Sequence, residues 1–191
     1  MRWLPLLLLS VLLVLAVWHD VRSRRIPNQL VLAGIIAAFL LQAALPVGAG
    51  LFLEPFGSIG LLWSLAGFGL GLALLLPMYA LRALGAGDVK LIAMIGAFVG
   101  PGTVFGIVLC TLLAGGVLAL LVALYHGSLQ RMLGNSFHLV LHSMFKALNR
   151  EEMTIEAPSA PSGKLPYAIA IAAGTAPYLV YAAIHGSSLF A

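Results

Sequence analysis

The sequence predicts an all-α polytopic membrane protein with about six transmembrane helices. Both termini lie outside, the fourth helix is short, and an amphipathic helix lies on the cytoplasmic side. Three observations carry this. Hydrophobic residues make up 62% of the 191 positions and charged residues only 8%, whereas a soluble domain carries about 25% charge. The apolar residues gather at about 3–19, 29–47, 57–81, 89–100, 103–125 and 165–185, most of these runs being near the ~20 residues that cross a ~30 Å hydrocarbon core. When the runs alternate across the membrane, nine of the ten Lys and Arg residues fall on one side and only Arg2 on the other, a strong positive-inside bias. The whole chain, residues 1–191, is expected to form one membrane-embedded domain. Such a composition excludes a soluble enzyme, a disordered chain and a collagen, and it argues against a nucleic-acid partner.

The first run follows Arg2 and has the outline of a signal peptide, but no small-x-small cleavage site comes after it; it is expected to stay as a helix. Trp18, Tyr79, Tyr125 and Tyr167 all land near the cytoplasmic interface, where amphipathic rings are favoured. The third run contains Gly67, Gly69 and Gly71, which suit close helix packing, and then Pro77, which is expected to kink it. The fourth run spans 12 residues from Val89 to Gly100, about 18 Å of helix at 1.5 Å per residue. Pro101-Gly102 stops it at one end, and Gly85-Ala86-Gly87 precedes it at the other. It is either re-entrant or begins below the membrane surface, where non-helical backbone requires surrounding protein or a wet cavity. Cys110, the single cysteine, lies in the fifth run and is expected to be a buried, inert thiol.

The long polar connection, about 126–164, carries apolar residues at helical spacing (Met132, Leu133, Phe137, Leu141 and Met144 among them). Arg131, His138, His142 and Lys146 occupy the other face. This predicts an amphipathic helix at 129–150 in the interface plane, followed by a tether at 151–163. Pro166 then suits the first turn of the last helix.

Acids at a membrane edge are rare, and a functional role is the default expectation for them. Of the six acidic residues, Glu151, Glu152 and Glu156 fall in the tether and Glu54 in an outer loop, which leaves Asp20 and Asp88. Asp20 follows the first helix, where a carboxylate meets the unfavourable end of the macrodipole; its bland explanation is an ion pair with Arg24 one turn on. The bland explanation of Asp88 is an N-cap. Both acids fall at the same cytoplasmic level, and two facing carboxylates can hydrolyse an amide. They share one proton. The ionised member takes a proton from water and the protonated member donates to the carbonyl oxygen. Gly85 and Gly87 carry no side chain, so an extended substrate backbone can approach Asp88. Other hydrolytic chemistries fit less well. No His-Glu-x-x-His is present for zinc, no Gly-x-Ser-x-Gly elbow occurs, and His138 and His142 lie on a polar face, so no metal or other cofactor is expected.

Asp20-Val-Arg-Ser-Arg-Arg-Ile-Pro-Asn28 resembles the first catalytic segment of type IV prepilin peptidases. Gly85-Ala-Gly-Asp88-Val-Lys-Leu91, continuing to Gly96 and Gly100, resembles their second. The resemblance covers roughly residues 1–125 and, more loosely, the last helix at Lys164-Leu-Pro-Tyr167. It implies an intramembrane aspartyl protease of the bacterial inner membrane with Asp20 and Asp88 as its catalytic acids. Arg24, Ile26, Pro27 and Asn28 would support the first acid, and Gly85, Gly87, Lys90 and Leu91 the second. It also implies a prepilin or pseudopilin substrate, cut after a glycine at the end of a basic cytoplasmic leader, and pilus-assembly machinery as a further partner. Long family members carry paired Cys-x-x-Cys and N-methylate the new terminus. One cysteine and no such insertion make this chain similar to the short, peptidase-only form associated with tight-adherence (Flp) pili, for which N-methylation is not expected. The basic cytoplasmic residues are explained by topology and anionic lipid headgroups. Two other classes use the same acids differently: a small transporter coupling protons or cations through them, and a non-catalytic membrane subunit of a secretion or pilus system.

Overall fold

The computed structural model describes residues 4–44, 59–81, 84–125 and 167–185. These residues form five helices and no strand: α1 (Leu4–Ser23), α2 (Asn28–Ala44), α3 (Leu61–Ala80), α4 (Ala86–Tyr125) and α5 (Tyr167–His185). Three stretches, Pro5–Ser23, Leu61–Ala80 and Ala86–Val122, are long and apolar enough to cross a membrane, while α2 and α5 supply shorter apolar helices. The amphipathic helix expected at 129–150, with His138 and His142, and the tether at 151–163 lie outside the described residues.

The helices are apolar all round, which for a surface helix fits lipid and not water. Leu62 is 82% exposed, and Val14, Leu40 and Trp63 are also well exposed. The interior is built around the first limb of α4, where every residue from Leu91 to Gly100 is buried. Leu9, Leu13 and Ala16 of α1, Val31 and Ala38 of α2, Leu75 of α3, and Ala168 and Ile171 of α5 join it in one apolar cluster. Close approaches at glycines set the spacing. Gly34 of α2 faces Met94, Gly67 of α3 faces the backbone of Gly96 and Gly100, and Gly71 faces Ile92 and Ala93. Along the second limb of α4, Gly115 receives the ring of Tyr167, Thr111 meets Gly174, and Gly106 receives the ring of Tyr178. The descending order on α4 against the ascending order on α5 makes that pair antiparallel.

The break expected at Pro101-Gly102 falls one residue earlier. Gly100 takes φ 81 and ψ 175, a backbone state that costs glycine little. A second helical limb then runs to Tyr125, so the fourth and fifth runs are the two limbs of α4, 86–99 and 101–125, on either side of a kink. The first limb begins three residues before Val89 and is about 21 Å long (14 residues at 1.5 Å). Cys110, on the second limb, is half-buried, not enclosed. The chain divides into two units, residues 1–115 with 166–191, and residues 116–165. Of the second, residues 116–125 are described, with Val117, Leu121 and Leu124 exposed.

The break frees backbone acceptors that two buried polar side chains take up. Pro101 has no N–H to give the carbonyl of Ala97, its partner four residues back. The Ser64 hydroxyl donates to that carbonyl at 2.6 Å. Gln42 donates from Nε2 to the Phe98 carbonyl at 3.1 Å, and its Oε1 accepts the N–H of Ile59 at 2.9 Å. Both side chains are buried, at 0% and 3% exposure, and a buried group stripped of its partner costs about 1–3 kcal/mol. Gln42→Leu, which strands two groups, is therefore expected to melt at a lower temperature in detergent micelles than Ser64→Ala, which strands one. Equal melting of both variants and the parent would show that the break does not depend on these side chains.

Candidate active site

Asp20 sits in the last turn of α1 and is 7% exposed. Its carboxylate faces the wrong end of its own helix dipole, but a second helix compensates. Oδ2 accepts the backbone N–H of Ala168 at 3.0 Å. Ala168 is the second residue of α5, where N–H groups lack intrahelical partners and favour negative charge. The continued helix that an Asp20–Arg24 pair requires is absent. α1 ends at Ser23, and Arg24 turns into the left-handed region with φ 52. The Arg24 N–H donates to the Asp20 carbonyl at 2.7 Å while its side chain is exposed. Arg24 thus contributes to the site through its backbone, in the turn that carries the chain into α2. Pro27 precedes α2, and its carbonyl accepts the N–H of Val31 at 3.3 Å.

Asp88 is the third residue of α4. Gly85, not Asp88, holds the N-cap position. The Asp88 N–H donates to the Gly85 carbonyl at 3.1 Å, and the Asp88 carboxylate reaches back so that Oδ2 accepts the Gly85 N–H, also at 3.1 Å. This is the return arm of a capping box. A Cβ at Gly85 would stand 3.1 Å from that same Oδ2, so the glycine leaves room for the carboxylate as well as for a substrate.

The two motif segments dock on each other. A Cβ on Gly87 would lie 3.3 Å from Cβ of Ile26, and Lys90 donates from Nζ to Oδ1 of Asn28 at 3.1 Å. Asp20 and Asp88 are close enough for the charge of one to act on the other. The expected site residues Asp20, Asp88, Gly85, Gly87, Lys90 and Asn28 are therefore brought together at one end of the bundle. The arrangement offers one enclosed and one half-buried carboxylate, each fixed by a backbone N–H, with bare glycine backbone beside the second. Among the described residues no three His, Cys, Asp or Glu side chains gather as a metal site.

Two contributors escaped the sequence. The Ala168 N–H could not be assigned to either acid, although Pro166 marks a helix start and so a set of unpaired amides. Tyr167 reads as an interface aromatic, yet it lies within electrostatic reach of Asp88.

Residues 7–120 match the model of the type IV leader peptidase family. Neither the curated proteins nor the solved structures give a match to the chain.

Proposed function

The chain belongs to the type IV leader peptidase family, and we propose that it is an aspartyl endopeptidase of the bacterial inner membrane that removes the leader of prepilins or pseudopilins. That it is a membrane protein and a protease follows from the family and the apolar helices. The observation that carries the finer reading is the docking of residues 20–28 on 85–91, which puts Asp20 and Asp88 within range of each other's charge. The positive-inside bias of the sequence favours the cytoplasmic surface for this end of the bundle, the level at which a basic leader meets an apolar stem.

In this mechanism one carboxylate takes a proton from water while the oxygen bonds to the carbonyl carbon of the leader's last glycine. The other carboxyl gives its proton to the carbonyl oxygen. The tetrahedral intermediate then collapses, the C–N bond breaks, and the departing nitrogen takes up a proton. The new amino terminus is left unmethylated. The mechanism needs one carboxyl protonated and the other ionised, a division that neighbouring like charges favour.

The test is co-expression with a prepilin that has a basic leader, a terminal glycine and an apolar stem. Leader removal is followed by gel shift. Cleavage is expected in membranes and in detergent, and EDTA is expected to leave its rate unchanged. No processing of any such substrate overturns the assignment, and loss of activity on chelation restored by zinc overturns the aspartyl mechanism.

A further inference from the structure

α5 meets Asp20 directly and comes within electrostatic reach of Asp88, with consecutive residues. Ala168 gives its N–H to Asp20, and the Tyr167 phenol lies within electrostatic reach of Asp88. The ring is seated on the second limb of α4. A Cβ on Gly115 would be 2.9 Å from both Cε2 and the hydroxyl of Tyr167, so the bare backbone of Gly115 is the seat of that ring. The adjoining peptide is held by Asp20. Tyr167 is half-buried, and among the described residues its hydroxyl has no hydrogen-bond partner. An interface aromatic keeps its polar tip in the headgroup region; this one rests it against Gly115, one residue before the amide that Asp20 accepts. In aspartyl hydrolysis one carboxyl donates to the carbonyl oxygen, and that oxygen has a second lone pair that a further donor can meet as charge develops there. Preorganised donors aimed at such an oxygen account for much of the rate in acyl-transfer sites.

We propose that Tyr167 is a further catalytic residue, its hydroxyl donating a hydrogen bond to the carbonyl oxygen of the peptide bond being cut. This rests on the aspartyl reading of the site. Gly115 is then a positioning residue, whose lack of a side chain keeps the ring at the height of the acids. The same Tyr-on-Gly packing recurs at Tyr178 and Gly106, eleven residues or about 16 Å further along α5, where the tyrosine is buried.

The experiment compares Tyr167→Phe, Tyr178→Phe, Gly115→Ala, Asp20→Asn and Asp88→Asn. The probe is a reporter substrate with a basic leader, a terminal glycine and an apolar stem, and melting temperatures are measured in the same micelles. Tyr167→Phe keeps the ring in its seat, so its melting temperature should match the parent. Its kcat should fall on the order of 10²-fold with KM unchanged, as for an interaction made only in the transition state. Tyr178→Phe should leave kcat unchanged. Gly115→Ala should lower kcat in the parent but have little further effect beside Tyr167→Phe, since the hydroxyl it displaces is already gone. Parental kcat in Tyr167→Phe, with both Asp variants inactive, overturns this proposal alone. So does an equal cost of Gly115→Ala in both backgrounds. Parental cleavage by either Asp variant overturns the aspartyl reading on which it rests.

Discussion

Asp20→Asn and Asp88→Asn are each expected to lower leader cleavage by on the order of 10²–10⁴-fold, the usual share of a positioned acid or base, while leaving the protein folded. The hydrogen bonds explain why Asn is the informative replacement. In either variant the amide oxygen can still accept the N–H now held by the carboxylate, from Ala168 at position 20 and from Gly85 at position 88. Only the charge and the titratable proton disappear. The packing around each side chain is unchanged, so the melting temperature should stay close to that of the parent. Asp20→Ala, in contrast, leaves the first turn of α5 without its acceptor and should cost about 1 kcal/mol, as loss of a helix cap does. Loss of activity accompanied by loss of stability in the Asn variants would assign the acids a structural role. Parental cleavage would remove the hydrolytic mechanism. Cleavage and thermal unfolding measured on the same preparations distinguish these outcomes.

Much of the site was legible because its chemistry is rare in lipid. Two acids at one membrane level stand out against runs of Leu, Ala and Val, and the glycines beside Asp88 need no fold to be noticed. What was not legible depends on contacts remote in sequence. Arg24 reads as a charge that could pair with Asp20; its contribution turns out to be a left-handed backbone turn, which no charge pattern reveals. The break in α4 was expected at Pro101, the residue that lacks a donor. The distorted residue is Gly100, because a proline pushes its predecessor out of the helical region and only glycine takes φ 81 at little cost. Gln42 and Ser64 looked like incidental polar residues in apolar runs. Their partners are carbonyls 56 and 33 residues away, freed by a break whose position along the chain had to be known first. The same holds for the Ala168 N–H, which reaches Asp20 across 148 positions.

The three glycines of α3 illustrate that limit and give the second large effect. Gly67, Gly69 and Gly71 are indistinguishable in the sequence, all suited to close packing. The structure separates them. A Cβ on Gly67 would run into the carbonyl oxygen of Gly96 and come within 2.8 Å of the Gly100 backbone. One on Gly69 would have nothing within 4 Å. Backbone cannot swing aside as a side chain can, so Gly67→Val should force α3 away from the first limb of α4 and cost at least about 3 kcal/mol, the upper range for overpacking. It should reduce cleavage as well, because that limb carries Asp88 at its far end and the Ser64 and Gln42 bonds hold it at the near end. Gly69→Val should leave both quantities close to the parent, and Gly69→Ala should gain a little from helix propensity, up to about 1 kcal/mol. Thermal unfolding in micelles together with the gel-shift assay reads both. Parental behaviour of Gly67→Val would mean that α3 does not lie against the limb bearing Asp88. The acid pair would then lack the support that keeps its second member in register with the first.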